Sequence, residues 1–163
     1  MKKIKLFTDS SVNPQEKIGF GAYLLLDDEN ESFEDFKDNI KIKRFENTSS
    51  TKIELQTLLW ALEELKEIAD KNTIVEVYTD CQNIIGLENR RDKLEKNHFC
   101  TSSKKLINNH ELYKNFYEKL DELNLTFIKV KGHKKNSLKD KIDNIFNLVD
   151  RASRSALREN MLI

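Results

Sequence analysis

At 163 residues, with 28 Lys and Arg balanced by 28 Asp and Glu, the chain suits one domain burying about 70% of its unfolded surface, without net attraction to nucleic acid. Its two cysteines, Cys81 and Cys100, lie in neither a CxxC nor a His–Cys spacing, which excludes a disulfide framework and a cysteine zinc site. No apolar run is long enough to span a membrane, and Met1-Lys2-Lys3 leads into a strand pattern instead of a signal-peptide core. The expectation is a soluble, cytoplasmic protein forming a single domain over residues 1–163.

Ile4 to Asp9 alternates as a strand does and breaks off at Asp9, a poor strand former. Ser10 to Ile18 holds the only proline, Pro14, and reads as a loop. Gly19 to Leu26 is a continuous apolar strand whose glycines, Gly19 and Gly21, permit a close backbone approach. Acidic residues then mark a turn, and Ile40 to Phe45 alternates as a third strand, so the first three form an antiparallel meander. Thr51 to Asp70 carries apolar residues at helical spacing, with Glu54 opening the stripe.

Ile74 to Thr79 is the fourth strand, and like the first it stops on Thr-Asp, at Asp80. Gln82 to Leu94 begins as helix, and the pattern is lost in a loop or protrusion around His98 to Lys105. Asn108 to Leu123 is an amphipathic helix with Asn108 and Glu111 in capping-box spacing, and Thr126 to Lys131 is the last strand. Ile142, Ile145, Phe146, Val149, Ser153, Ala156 and Leu157 mark a long final helix. The order is β-β-β-α-β-α-α-β-α: an α/β fold with a mixed five-stranded sheet flanked by helices.

Charge is segregated along this frame. Asp27 to Asp38 is acidic, Lys129 to Lys141 is basic and Arg90 to Lys105 leans basic, so a neutral chain can still present a cationic face. Alone, Asp9 and Asp80 each read as turn-forming residues after a strand. If the two strands are neighbours, their carboxylates meet, and the repulsion calls for a cation. Glu54 has a bland reading too, because Thr51-Lys52-Ile53-Glu54 has capping-box spacing. Yet it leans toward the sheet, where a carboxylate needs a partner, and a divalent cation shared with Asp9 and Asp80 would serve. Gly132-His133 follows the last strand, and two further acids, Asp143 and Asp150, lie two helical turns apart on one flank of the final helix.

Taken together, these residues resemble the ribonuclease H family from about Ile4 to Arg158. The likeness is carried by Phe7-Thr8-Asp9-Ser10-Ser11 with Asn13, Ser50-Thr51-Lys52-Ile53-Glu54-Leu55, Tyr78-Thr79-Asp80-Cys81-Gln82 and Val130-Lys131-Gly132-His133. Each fragment is weak alone; four in this order are specific. The resemblance implies an endonuclease that hydrolyses the RNA strand of RNA–DNA hybrids, acts as a monomer, and uses two Mg2+ ions about 4 Å apart, with Mn2+ as a substitute. Asp9 looks like the shared ligand, Glu54 and Asp80 like ligands of one ion, and the last-helix Asp like a ligand of the other. His133 looks like a proton-transfer or product-release residue. Ser11, Asn13, Ser50, Thr51 and Gln82 match positions that contact the hybrid in its minor groove, where 2′-hydroxyls distinguish RNA from DNA. Arg90, Arg91, Lys93 and Lys96 fall where bacterial members grip the DNA-strand backbone.

The chain departs from the family pattern in places. Ser10 stands where Gly is usual, the loop after it lacks the usual glycines, Ser50-Thr51 replaces paired Asn, and the protrusion has no tryptophan. For the fourth carboxylate, spacing from His133 fits Asp143, whereas local context favours Asp150, since small Ser153 follows it by three residues and bulky Phe146 follows Asp143. The competing readings are another nuclease of the same fold and a non-catalytic hybrid-binding module.

Overall fold

The apolar alternation of the first strand sets the two sides of the sheet. In the computed structural model, which describes residues 2–27, 33–131 and 140–161, β1 (Lys2–Asn13) turns Ile4 and Leu6 to one side and Phe7 to the other. It is the central strand of a five-stranded sheet ordered β3-β2-β1-β4-β5. β1 runs antiparallel to β2 (Ile18–Leu26), which pairs antiparallel with β3 (Lys41–Glu46). On its other edge it runs parallel to β4 (Thr73–Thr79), and β4 runs parallel to β5 (Asn124–Lys129). The mixed five-stranded α/β architecture expected from the sequence is the one observed.

Two apolar clusters hold the layers together. On one side Ile4, Leu6, Val75 and Val77 meet α2 (Ser50–Leu65), α3 (Gln82–Lys96) and α4 (His110–Glu122). Leu55, Leu58 and Leu62 of α2 are at most 1% exposed, and each buried leucine contributes about 1.5–3 kcal/mol. On the other side Phe7, Leu24, Tyr78 and Val130 meet α5 (Lys141–Met161) through Ile145, Phe146 and Val149.

Several local expectations are corrected. β1 does not stop at Asp9: pairing with β2 continues to Asn13↔Ile18, whereas pairing with β4 ends at Phe7↔Tyr78. The stretch read as a loop is therefore mostly strand, closed by a turn. The Asn13 carboxamide oxygen accepts from the backbone N–H of Gln15 (3.0 Å) and Glu16 (3.3 Å), and Lys17 takes a positive φ. The acidic stretch read as a turn contains a short helix, α1 (Phe33–Asp38), anchored by fully buried Phe36.

α2 begins one residue before Thr51 and ends at Leu65, short of Asp70. Its N-cap is Ser49, whose hydroxyl accepts from Lys52 N–H at 3.2 Å, so Thr51 and Glu54 form no capping box. α3 runs unbroken to Lys96, taking in the basic residues placed in the helix-to-protrusion stretch. The Asn108–Glu111 box also fails to form: the N-cap of α4 is Asn109, left-handed at φ 64 and without a side-chain cap. Among the described residues, no helix is long and apolar enough to cross a membrane.

Candidate metal centre

The last rung of the β1–β4 ladder is a stacked pair, Phe7 on Tyr78, with ring centroids 4.7 Å apart. Beyond it the two parallel strands part. Asp9 stands on β1 just past that rung, and Asp80 follows the last residue of β4. Gly19 and Gly21 of β2 let α2 down onto this end of the sheet. A Cβ on Gly19 would lie 2.3 Å from Ile53 Cδ1, and one on Gly21 would lie 2.1 Å from Thr57 Oγ1. A side chain at either place would push the facing residue of α2 aside. The close approach carries Glu54, between Ile53 and Thr57, to the opening.

Carboxylate oxygens of Asp9, Glu54 and Asp80 consequently lie within 4.8 Å of one another. The environment grades from closed to open: Asp9 is 4% exposed, Glu54 is half-buried and Asp80 is exposed. Burial, a hydrogen bond shared with the Asp150 carboxyl, and the charges of Glu54, Asp80 and Asp150 push the Asp9 carboxyl up to about 10. Burial chiefly, with the charges of Asp80 and Asp150, raises Glu54 to about 7, and a hydrogen bond from Ser10 opposes the rise. Glu54 Oε1 accepts that bond at 2.6 Å, while Oε2 is buried without a hydrogen-bond partner among the described residues. Carboxylates cannot all be ionised at such separations unless something positive joins them. An orphaned buried oxygen among hard oxygen donors fits a divalent cation such as Mg2+, and Asp9, Glu54 and Asp80 could hold it.

The two acids of α5 have separate surroundings. Asp150 meets Asp9 and is also bound by the Arg154 guanidinium one helical turn on, with Nε to Oδ1 at 3.1 Å. Ser153, fully buried, bonds across to Ser11 at 3.1 Å, which seats this turn of α5 on β1. Asp143 is buried at the start of α5 in a reciprocal cap. Its N–H donates to Asp140 Oδ1 (2.9 Å), and the Asp140 N–H donates to Asp143 Oδ2 (3.2 Å). Gly132 and His133 lie outside the described residues.

The positions matched to substrate contact fall in different places: Ser11, Asn13, Ser50, Thr51 and Gln82 lie within four residues of an acid of the cluster, whereas Arg91 sits with Lys71 and Asn124 at the amino ends of β4 and β5. Ser50 and Thr51 are exposed on the first turn of α2. Gln82 opens α3, and its Oε1 accepts from Lys129 Nζ at 2.6 Å. Ser11 is engaged with Ser153, and Asn13 with its own turn. On α3, Arg90 donates to Asn83 (3.0 Å) and lies over the Tyr113 ring. Arg91 forks onto Asp121 at 2.7 and 2.8 Å, bonds Glu95 at 2.8 Å and covers the Tyr117 ring. Lys93 and Lys96 are exposed on the last turn. Sequence reasoning missed two polar partners of the acids, Ser10 and Arg154. The second had a readable signal, an Asp–Arg pair at i,i+4 spacing.

A match to the RNase H family spans residues 1–157. The chain belongs to the ribonuclease H family. Among relatives named Ribonuclease H, that of Clostridium botulinum is 33% identical over 90% of this chain and 95% of its own length. That of Caldicellulosiruptor saccharolyticus is 31% identical over 98% and 99%. The fold is shared with distant solved structures. LC9-RNase H1, a type 1 RNase H with the type 2 active-site motif, superposes with a TM-score of 0.69 at 14% identity, covering 95% of this chain and 72% of that one. A foamy viral protease–reverse transcriptase in complex with dsDNA superposes at 0.63 with 12% identity, covering 94% of each. In this ribonuclease H the acidic opening lies at the carboxyl ends of two parallel strands, where open α/β sheets hold their ligands.

Proposed function

We propose that this ribonuclease H hydrolyses the RNA strand of RNA–DNA hybrids, with residues 1–163 acting as one monomeric catalytic domain. The observation that carries the reading is the convergence of Asp9, Glu54 and Asp80, with Asp150 bonded to Asp9, around a buried Glu54 oxygen that has no hydrogen-bond partner among the described residues. Asp9 is the shared ligand, Glu54 and Asp80 serve one Mg2+ and Asp150 serves the other; Mn2+ can replace Mg2+. Bound there, the two ions supply a nucleophile at neutral pH and charge stabilisation at the leaving oxygen.

The chain's own residues supply the rest. Asp9 is held rigidly by the sheet, so the geometry of the centre is set before substrate arrives. Ser50 and Thr51, at the N-terminus of α2, offer hydroxyls and backbone N–H groups to the sugar–phosphate backbone. Ser11, Asn13 and Gln82 line the same approach, and Arg90, Lys93 and Lys96 add sequence-independent phosphate attraction, whereas Arg91 is held by Asp121 and Glu95. His133, just past the last strand in sequence, moves a proton or aids product release. The test is cleavage of an end-labelled RNA–DNA hybrid with and without Mg2+, beside duplex DNA and duplex RNA. Metal-dependent cutting confined to the RNA strand of the hybrid is expected. Equal cutting of the duplexes, or cutting that persists in a chelator, would overturn the reading.

A further inference from the structure

We propose that Ser10 is a positioning residue of the metal centre: its hydroxyl pins one oxygen of Glu54 so that the other is presented, singly, to a divalent cation. The inference rests on the metal-dependent reading above. β1 alternates sides along its length, so Asp9 faces α5 and Ser10 faces α2, the helix that carries Glu54. Ser10 lies opposite Gly21 in the β1–β2 register, where Thr57 presses onto the bare glycine. α2 therefore sits low enough for Ser10 Oγ to donate to Glu54 Oε1 at 2.6 Å, a charge-assisted distance. Oε2 is left buried and, among the described residues, unpartnered.

This asymmetry matters because a glutamate has three side-chain torsions and two equivalent oxygens. One fixed oxygen removes that freedom before the cation binds, so less ordering is left to oppose binding. It also reserves Oε2 as a single donor, which suits the near-octahedral shell of Mg2+ better than a two-oxygen grip. Arg154 holds Asp150 in a comparable way, but from an exposed side chain, where the constraint is weaker.

The experiment compares the wild-type chain with Ser10→Ala and Ser10→Thr, using Mn2+ alone as the probe. Calorimetric Mn2+ titration of protein free of nucleic acid is the first readout. The second is the half-saturating Mg2+ concentration for hybrid cleavage, separated from kcat at saturating Mg2+. Ser10→Ala is expected to bind Mn2+ about tenfold more weakly, with a matching rise in the Mg2+ requirement and a nearly unchanged kcat. Ser10→Thr, which keeps the hydroxyl, is expected to restore both. Wild-type-like or tighter Mn2+ binding by Ser10→Ala overturns the proposal, as does a lowered melting temperature with an unaltered isotherm, the mark of a merely structural hydrogen bond. A wild-type protein that neither binds Mn2+ nor cleaves hybrid removes the metal-dependent reading itself. Wild-type activity with an indifferent Ser10→Ala removes only this one.

Discussion

The two charged regions of the molecule follow opposite rules. On the α3–α4 face, charges are neutralised locally: Arg91 is bound by Asp121 and Glu95, and nearly buried Lys119 reaches Glu63 at 2.6 Å and Glu122 at 3.5 Å. Where β1 and β4 part, four acids are gathered, Arg154 binds one of them, and a buried Glu54 oxygen has no hydrogen-bond partner among the described residues. The first arrangement asks nothing of the solvent. The second costs stability until a cation arrives. Like charges gathered at a buried point are relieved either by protons or by a cation, so the mismatch, more than the number of charges, separates a candidate site from a stabilised surface.

Removing the mismatch should have the largest effect. Asp9→Asn is expected to abolish hybrid cleavage, read by single-turnover assay, while making the metal-free protein more stable. The sign follows from the raised values. Protonated Asp9 and Glu54 favour the folded state below the carboxylate range near pH 4, and that stability is lost as pH rises through about 7 for Glu54 and about 10 for Asp9. Metal-free wild-type protein should therefore unfold at progressively lower temperature between pH 5 and 9, Asp9→Asn should show a shallower decline, and added Mg2+ should flatten the wild-type curve. A steeper decline in Asp9→Asn would contradict the assignment.

The two acids of α5 sharpen the same contrast. Asp150→Ala should lose cleavage by orders of magnitude, whereas Asp143→Ala, which removes half of a reciprocal cap, should cost about 1 kcal/mol of stability with little change in rate. Chemical denaturation alongside kinetics separates the two effects. A dead Asp143→Ala and an active Asp150→Ala would reverse the assignment.

A smaller effect is expected where packing delivers the charge. Gly21→Ala drives a Cβ into Thr57, so it should destabilise the protein by about 1–3 kcal/mol and slow cleavage by lifting Glu54. Adding Thr57→Ala takes away the hydroxyl and methyl that this Cβ would strike, and should recover part of the stability and of the rate.

The smallest effect belongs to the neutralised face. Arg91→Ala should cost about 0.5–1 kcal/mol of stability and leave the salt dependence of hybrid binding unchanged. Lys93→Ala with Lys96→Ala should do the reverse, reducing the salt slope by about one for each phosphate no longer neutralised. A flattened slope in Arg91→Ala would show that substrate draws this side chain away from Asp121.

The strands and amphipathic helices were legible because their signal is local: alternation in Ile4 to Asp9 and Ile74 to Thr79, and helical spacing through Leu55, Leu58 and Leu62, need no knowledge of a partner. Asp9, Glu54 and Asp80 were legible as a set because each stands where an alternating or helical pattern in the sequence begins or breaks off. Tertiary structure decided what depends on a distant neighbour. β1 runs on past Asp9 because β2 keeps pairing after β4 has stopped, and a short acidic helix forms because Phe36 finds the core. The capping-box spacing of Thr51 and Glu54 goes unused because Ser49 caps α2, while Asp143 took up a cap at the start of α5. Arg91 is spent on an aspartate thirty positions away, and Ser10 meets Glu54 across forty-four. A single side chain of one residue type accepts many partners, and only the packing of helix on sheet chooses among them.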